Sequence, residues 1–166
     1  MKAAAKAFAW ALLAGLAVPV AALGATSPPA TFQVSATVIP ACIVTANPLS
    51  FGSYDPTATT NLDATTTLSV TCTIGTSFRV GLDAGASSGA TVSARKMTSG
   101  SNALAYALYQ DSTRATNWGN TPGTDTPPAA TAPATPSILT VYGRVPMNQN
   151  VTAGAYTDTV TVTVTY

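Results

Sequence analysis

The chain has 166 residues, 46% of them hydrophobic and only 8% charged, with seven Lys plus Arg, six acidic groups, two cysteines and no histidine. A length within roughly 100 to 200 residues is that of a single domain able to bury a proper core, and so apolar a chain is unlike a disordered one. A formal net charge of +1 with no run of Lys or Arg gives nothing to release counterions from a phosphate backbone, which excludes nucleic-acid binding.

The lack of histidine also removes Ser/His/Asp and Cys/His nucleophiles, His-containing metal sites and imidazole acid/base chemistry. Every acidic residue is an aspartate: Asp55, Asp63, Asp83, Asp111, Asp125 and Asp158. Two of these carboxylates placed across a cleft would make a glycosidase pair. Asp55, Asp83, Asp111 and Asp158 each stand in a turn or strand-start context, however, where aspartate ordinarily bonds the local backbone. No enzyme, cofactor, metal site or small-molecule substrate is therefore expected.

The first 24 residues carry Lys2 and Lys6, then an apolar run from Ala7 to about Val18, then Pro19 and small side chains. This is the form of a secretory signal peptide, with cleavage expected after Gly24 or, as a second choice, after Ala22. The run is shorter than the ~20 residues a spanning helix needs. Loss of Lys2 and Lys6 leaves Arg79, Arg95, Lys96, Arg114 and Arg144 against six aspartates, a mature net charge of −1. In an oxidising compartment the two cysteines, Cys42 and Cys72, are expected to pair, which in the chain-entropy model stabilises by roughly 3 to 4 kcal/mol; a pair of free buried thiols is the alternative.

The rest of the chain alternates. In residues 31–38, Phe32, Val34, Ala36 and Val38 fall on one face and Thr31, Gln33, Ser35 and Thr37 on the other, a strand pattern. Leu68, Val70, Cys72 and Ile74 form the apolar set of a second strand. Further strands are expected at 78–82, 104–109 and 138–145, and most clearly across 156–166, where Val160, Val162, Val164 and Tyr166 alternate with threonines. Turn-forming clusters separate them at 47–56, 83–90, 117–125 and 147–155. Residues 117–137 hold five prolines and little to bury, and are expected to form a long exposed loop. Seven or so short strands with one disulfide imply an all-β sandwich of immunoglobulin type.

The alternating segment at each end of the mature chain carries the functional reading. Neither has a lysine to blunt an exposed edge. The first strand either pairs with the last inside one chain, closing the sandwich, or leaves its own subunit to complete the groove beside the last strand of a neighbour. Periodicity does not separate the two, and the pattern alone leans slightly to the first. A carbohydrate-binding platform from Trp118, Tyr106, Tyr109 and Tyr142 is a further alternative, although these residues suit the core and rim of a sandwich better.

The order of first cysteine, FGSYDP, second cysteine, YGR and a terminal AGAYTDTVTVTVTY resembles the spore coat protein U domain family of archaic chaperone-usher pilus subunits, over about residues 31–166. The resemblance implies an incomplete immunoglobulin-like sandwich at 40–166, completed by donor-strand exchange, with a donor segment at 25–39. It implies Phe32, Val34, Ala36 and Val38 as groove-filling donor residues and Cys42 and Cys72 as the structural disulfide. Val160, Val162, Val164 and Tyr166 become the strand bordering the acceptor groove. Its implied partners are like or related subunits in a head-to-tail fibre, a periplasmic chaperone and an outer-membrane usher. The implied destination is the cell surface, with a role in attachment and biofilm formation. A single mature domain leaves no room for a second, receptor-binding one, so a shaft or minor subunit is expected. A self-complemented secreted coat or carbohydrate-binding module is the competing reading.

Overall fold

The structure is a computed structural model that describes residues 24–166; all of the expected signal peptide but Gly24 lies outside the described residues. Eight strands follow in chain order: β1 (Cys42–Ala46), β2 (Leu62–Cys72), β3 (Ser77–Leu82), β4 (Arg95–Ser99), β5 (Asn102–Tyr109), β6 (Ala130–Thr131), β7 (Ser137–Val145) and β8 (Val162–Thr165). They form a five-stranded antiparallel sheet in the order β1-β2-β7-β5-β4 and a three-stranded one in the order β6-β3-β8. The described residues contain no helix, and the fold is an immunoglobulin-like sandwich within the compact body Thr37–Tyr166.

The period-two pattern sets which residues are inside. Leu68 and Val70 on β2, Phe78, Val80 and Leu82 on β3, Leu104, Tyr106 and Leu108 on β5, and Val141 and Val145 on β7 form the core. Their neighbours in sequence are largely Thr, Ser and Ala facing out, as expected for sheets packed on one face and solvated on the other. Cys42 and Cys72 lie opposite each other in the β1–β2 register and are joined by a disulfide.

Several expectations need correction. Residues 31–38 form no strand: Phe32, Val34 and Val38 are 79% to 87% exposed and Ala36 is exposed as well. A strand exists only with a partner for its main-chain groups, and none among the described residues supplies one. Ile74 does not continue the inward row of β2, because that strand ends at Cys72 and a turn closed by the Thr76 N–H on the Thr73 carbonyl follows, with Gly75 at φ 83°. Ile74 is 71% exposed. The terminal strand is regular over only Val162–Thr165, and β2 begins earlier than expected, at Leu62. Strands β1 and β4 were not anticipated: β1 is short, and the Arg-Lys pair that opens β4 disguises it.

The proline-rich stretch 117–137 is not simply exposed. Trp118 is 1% exposed, with its indole N–H donating to the Val80 carbonyl at 2.9 Å. Ala132 is buried, and β6 pairs with β3. The anchor is Arg95, fully buried at the start of β4. Its guanidinium donates to the carbonyls of Asp83 (2.8 Å), Val92 (2.6 Å), Leu82 (2.9 Å) and Trp118 (2.7 Å). A buried cation is costly unless its donors are satisfied, and here four carbonyls from three chain segments converge on it. Burial lowers its pKa from the ordinary value, yet so basic a group stays charged. Replacing Arg95 with Ala strips charged donors from four carbonyls and is expected to cost on the order of 3 kcal/mol or more, read from the urea midpoint. Lysine, with one ammonium in place of a fork, should recover only part of the loss.

Candidate functional site

Strands β1 and β8 each stand at an edge of their sheet, with one side paired and the other not. The two edges approach each other over part of their length, and the sandwich is open beyond the end of β1 and ahead of β8. A groove of about 430 Å³ is floored by Leu68, Tyr106, Leu108 and Val141 of the five-stranded sheet. One wall is the end of β1 and the chain after it, Ala46 to Leu49 with Phe51, and the other is the approach to β8 and its first residue, Tyr156 to Val160 with Val162. A second cavity of about 620 Å³ shares Leu49, Phe51, Met97 and Tyr156 with the first and reaches Val145 and Val151. A sandwich of two complete sheets would cover such a floor with a strand.

The walls are set by specific contacts. Phe51 packs edge-on against Tyr106, with ring centroids 6.2 Å apart. Gly143 permits this, since a Cβ there would stand 2.7 Å from both Leu49 Cδ2 and Phe51 Cζ. The opposite wall is held by two aspartates. Asp83 Oδ1 accepts from the N–H groups of Gly85 and Thr161, both at 2.9 Å. Asp158 accepts from the N–H of Ala86 at 2.9 Å and from the Tyr106 hydroxyl at 2.7 Å. Residues 158–161 are thereby stapled to the loop after β3 and, across the sandwich, to β5. Burial and the Asp158 hydrogen bond push the Tyr106 hydroxyl far above its ordinary pKa, so it acts as a fixed donor.

Among the residues singled out in the sequence, Val160 and Val162 line the groove, Val164 packs half-buried against the core, and Tyr166 is 60% exposed. Phe32, Val34, Ala36 and Val38 are solvent-exposed. Asp55 and Asp111 close their own turns, on Thr57 and on Thr113, Ala115 and Thr116 respectively. The four aromatic residues do not form one platform: Trp118 and Tyr106 are core, while Tyr142 lies under the Arg114 guanidinium, 5.8 Å from its ring centre. Sequence reasoning missed Leu49, Phe51 and Met97, which sit in turn-like or charged contexts with no periodic signal of their own.

The Spore Coat Protein U domain model matches residues 29–163. The chain belongs to this family. Protein U of Myxococcus xanthus is 43% identical over 88 residues, which is 52% of this chain and 48% of that protein. Among solved structures, the crystal structure of the CsuC–CsuE chaperone–tip adhesion subunit pre-assembly complex, from the archaic chaperone-usher Csu pili of Acinetobacter baumannii, contains a similar chain. The TM-score is 0.58 and the identity 26%, over 78% of this chain and 41% of that one. The chain thus spans less than half the length of each of these two relatives.

The aspartate staple implies an acid dependence. Burial raises the Asp83 pKa, but the Thr161 and Gly85 hydrogen bonds and the Arg95 charge outweigh it, leaving the pKa below the ordinary 3.8. A carboxyl depressed on folding contributes stability that is fully present above its unfolded value and is lost as pH falls through the folded one. The thermal midpoint should therefore hold between pH 7 and about 5 and fall below about pH 4. Asp83→Asn keeps the acceptor and loses the charge, so it should shallow that acid limb; an unchanged limb would remove Asp83 from the account.

Proposed function

We propose that this chain is a structural subunit of a chaperone-usher fibre, exported through the periplasm by an N-terminal signal within residues 1–24. In this reading it polymerises by placing residues 31–38 in the open groove of a second subunit. The observation that carries the reading is a pair of complementary defects in one chain: a sandwich with an uncovered apolar floor between two unpaired edges, and a segment of alternating apolar side chains in solvent. Family membership and the likeness to a chain of a chaperone–pilus subunit complex support the same reading.

The step is physical and involves no bond chemistry. Main-chain groups of the incoming segment pair with the edges of β1 and β8, and Phe32, Val34, Ala36 and Val38 enter the groove. A slip of one residue would send Thr31, Gln33, Ser35 and Thr37 inward, which fixes the register. The three larger apolar side chains contribute about 1.5 to 3 kcal/mol each before ordering costs. Donor and acceptor surfaces differ, so the contact is head-to-tail and does not close. Until the donor arrives the floor must be covered by another strand, the role assigned to a periplasmic chaperone, with an outer-membrane usher as the site of exchange. Attachment of cells to surfaces is the role such a fibre would serve.

Val34→Asp places a charge in the groove and is expected to abolish the SDS-resistant ladder that the parent gives without boiling, while the subunit still accumulates with its chaperone. Normal ladders from this variant would overturn the assignment of residues 31–38. Parent and variant both running as stable monomers by light scattering would favour a self-complemented module.

A further inference from the structure

The chain has four isoleucines, Ile39, Ile43, Ile74 and Ile138, and all four are 63% to 74% exposed. The core is built instead from Leu, Val, Phe, Tyr, Trp and Ala. Single exposed apolar side chains are ordinary, but these four share one corner. Ile43 is on the outward face of β1 opposite Thr71. Ile138 is on the outward face of β7 opposite Ser69, whose partner on the other side is Thr45 of β1. The Ile39 carbonyl accepts from Thr73 Oγ1 at 3.3 Å, and Ile74 is the next residue. All four lie toward the end of the five-stranded sheet where the disulfide joins β1 to β2.

Chain length says what lies against it. Only Ile39, Pro40 and Ala41 separate Val38 from Cys42, and Ala41 is already tied to Thr73 by its N–H (3.1 Å to Oγ1) and its carbonyl (2.9 Å from the N–H). At about 3.3 to 3.6 Å per residue the connection reaches some 14 Å at most. A subunit whose groove holds residues 32–38 is therefore forced against this corner. We propose that the isoleucine corner is a second contact between successive copies of the chain, packing on the outside of the subunit that accepts the donor segment. This rests on the strand-exchange reading above. Stiff β-branched side chains suit such a contact, since they have little rotamer freedom to lose. The contact would make the three-residue connection a fixed joint and give the fibre a regular subunit-to-subunit angle.

The test uses fibres assembled by the full chain, with p-benzoylphenylalanine in place of Ile138 and, separately, the double variant Ile74→Ser/Ile138→Ser. Illumination is expected to link Ile138 to a second copy in fibres and not in chaperone-bound subunits, with the photoproduct mapping outside the groove. The double variant is expected to keep the SDS-resistant ladder, because the donor segment is intact, and to lose the regular axial repeat in electron micrographs. A photoproduct on the chaperone, or none in fibres, overturns the proposal, as does an unaltered repeat in the double variant. A parent chain without any ladder overturns the strand-exchange reading and this inference together, whereas ladders with an unchanged repeat overturn this inference alone.

Discussion

The architecture depends on an unmet pairing. Strands β1 and β8 each use one edge, and the floor between them, from Leu68 to Val141, is apolar without a strand over it. Main-chain donors and acceptors and apolar side chains are thus left wanting at the same place. In the proposed reading, a single extended segment of alternating character meets both needs at once. Residues 31–38 have that character and, being exposed, are available for it.

A sandwich lacking one strand must hold its remaining walls by other means, and the polar network does so. Arg95 collects carbonyls from the end of β3, from the chain before β4 and from Trp118, pinning the loop that would otherwise leave β3 uncovered. Asp83 and Asp158 fix the approach to β8, and the Tyr106 hydroxyl carries that fixation across to β5. The disulfide locks β1 to β2 at the point where the chain leaves for residues 31–38. The groove is accordingly a preformed slot, and in the proposed reading preformation lowers the ordering cost of the strand that enters it.

Where burial follows the period of two, the sequence was legible. Leu68 and Val70, the alternation of β5 and the valines of the last strand are readable because small or polar residues (Thr, Ser or Ala) alternate with them, and the disulfide follows from two cysteines in a chain expected to be exported. The groove walls were less so. Leu49 and Phe51 lie among Pro, Ser and Gly in a stretch that reads as a turn, and they are placed by Gly143 nearly a hundred residues away. Arg95 reads as a surface cation, since nothing local announces four carbonyls brought together by the fold. Trp118 and Ala132 were hidden by the prolines around them, which are compatible with a short edge strand such as β6 and with the turns that bury its flanks.

In the proposed reading the groove binds residues 31–38, within the donor segment 25–39, as a strand. This is tested most directly by adding a synthetic peptide of residues 25–39 to the Val34→Asp chain and following amide hydrogen exchange. The account predicts new protection along β1 and residues 160–165, a higher thermal midpoint, and neither effect from a peptide carrying the same Val34→Asp change. Unchanged exchange at both edges with the parent peptide in excess would contradict it.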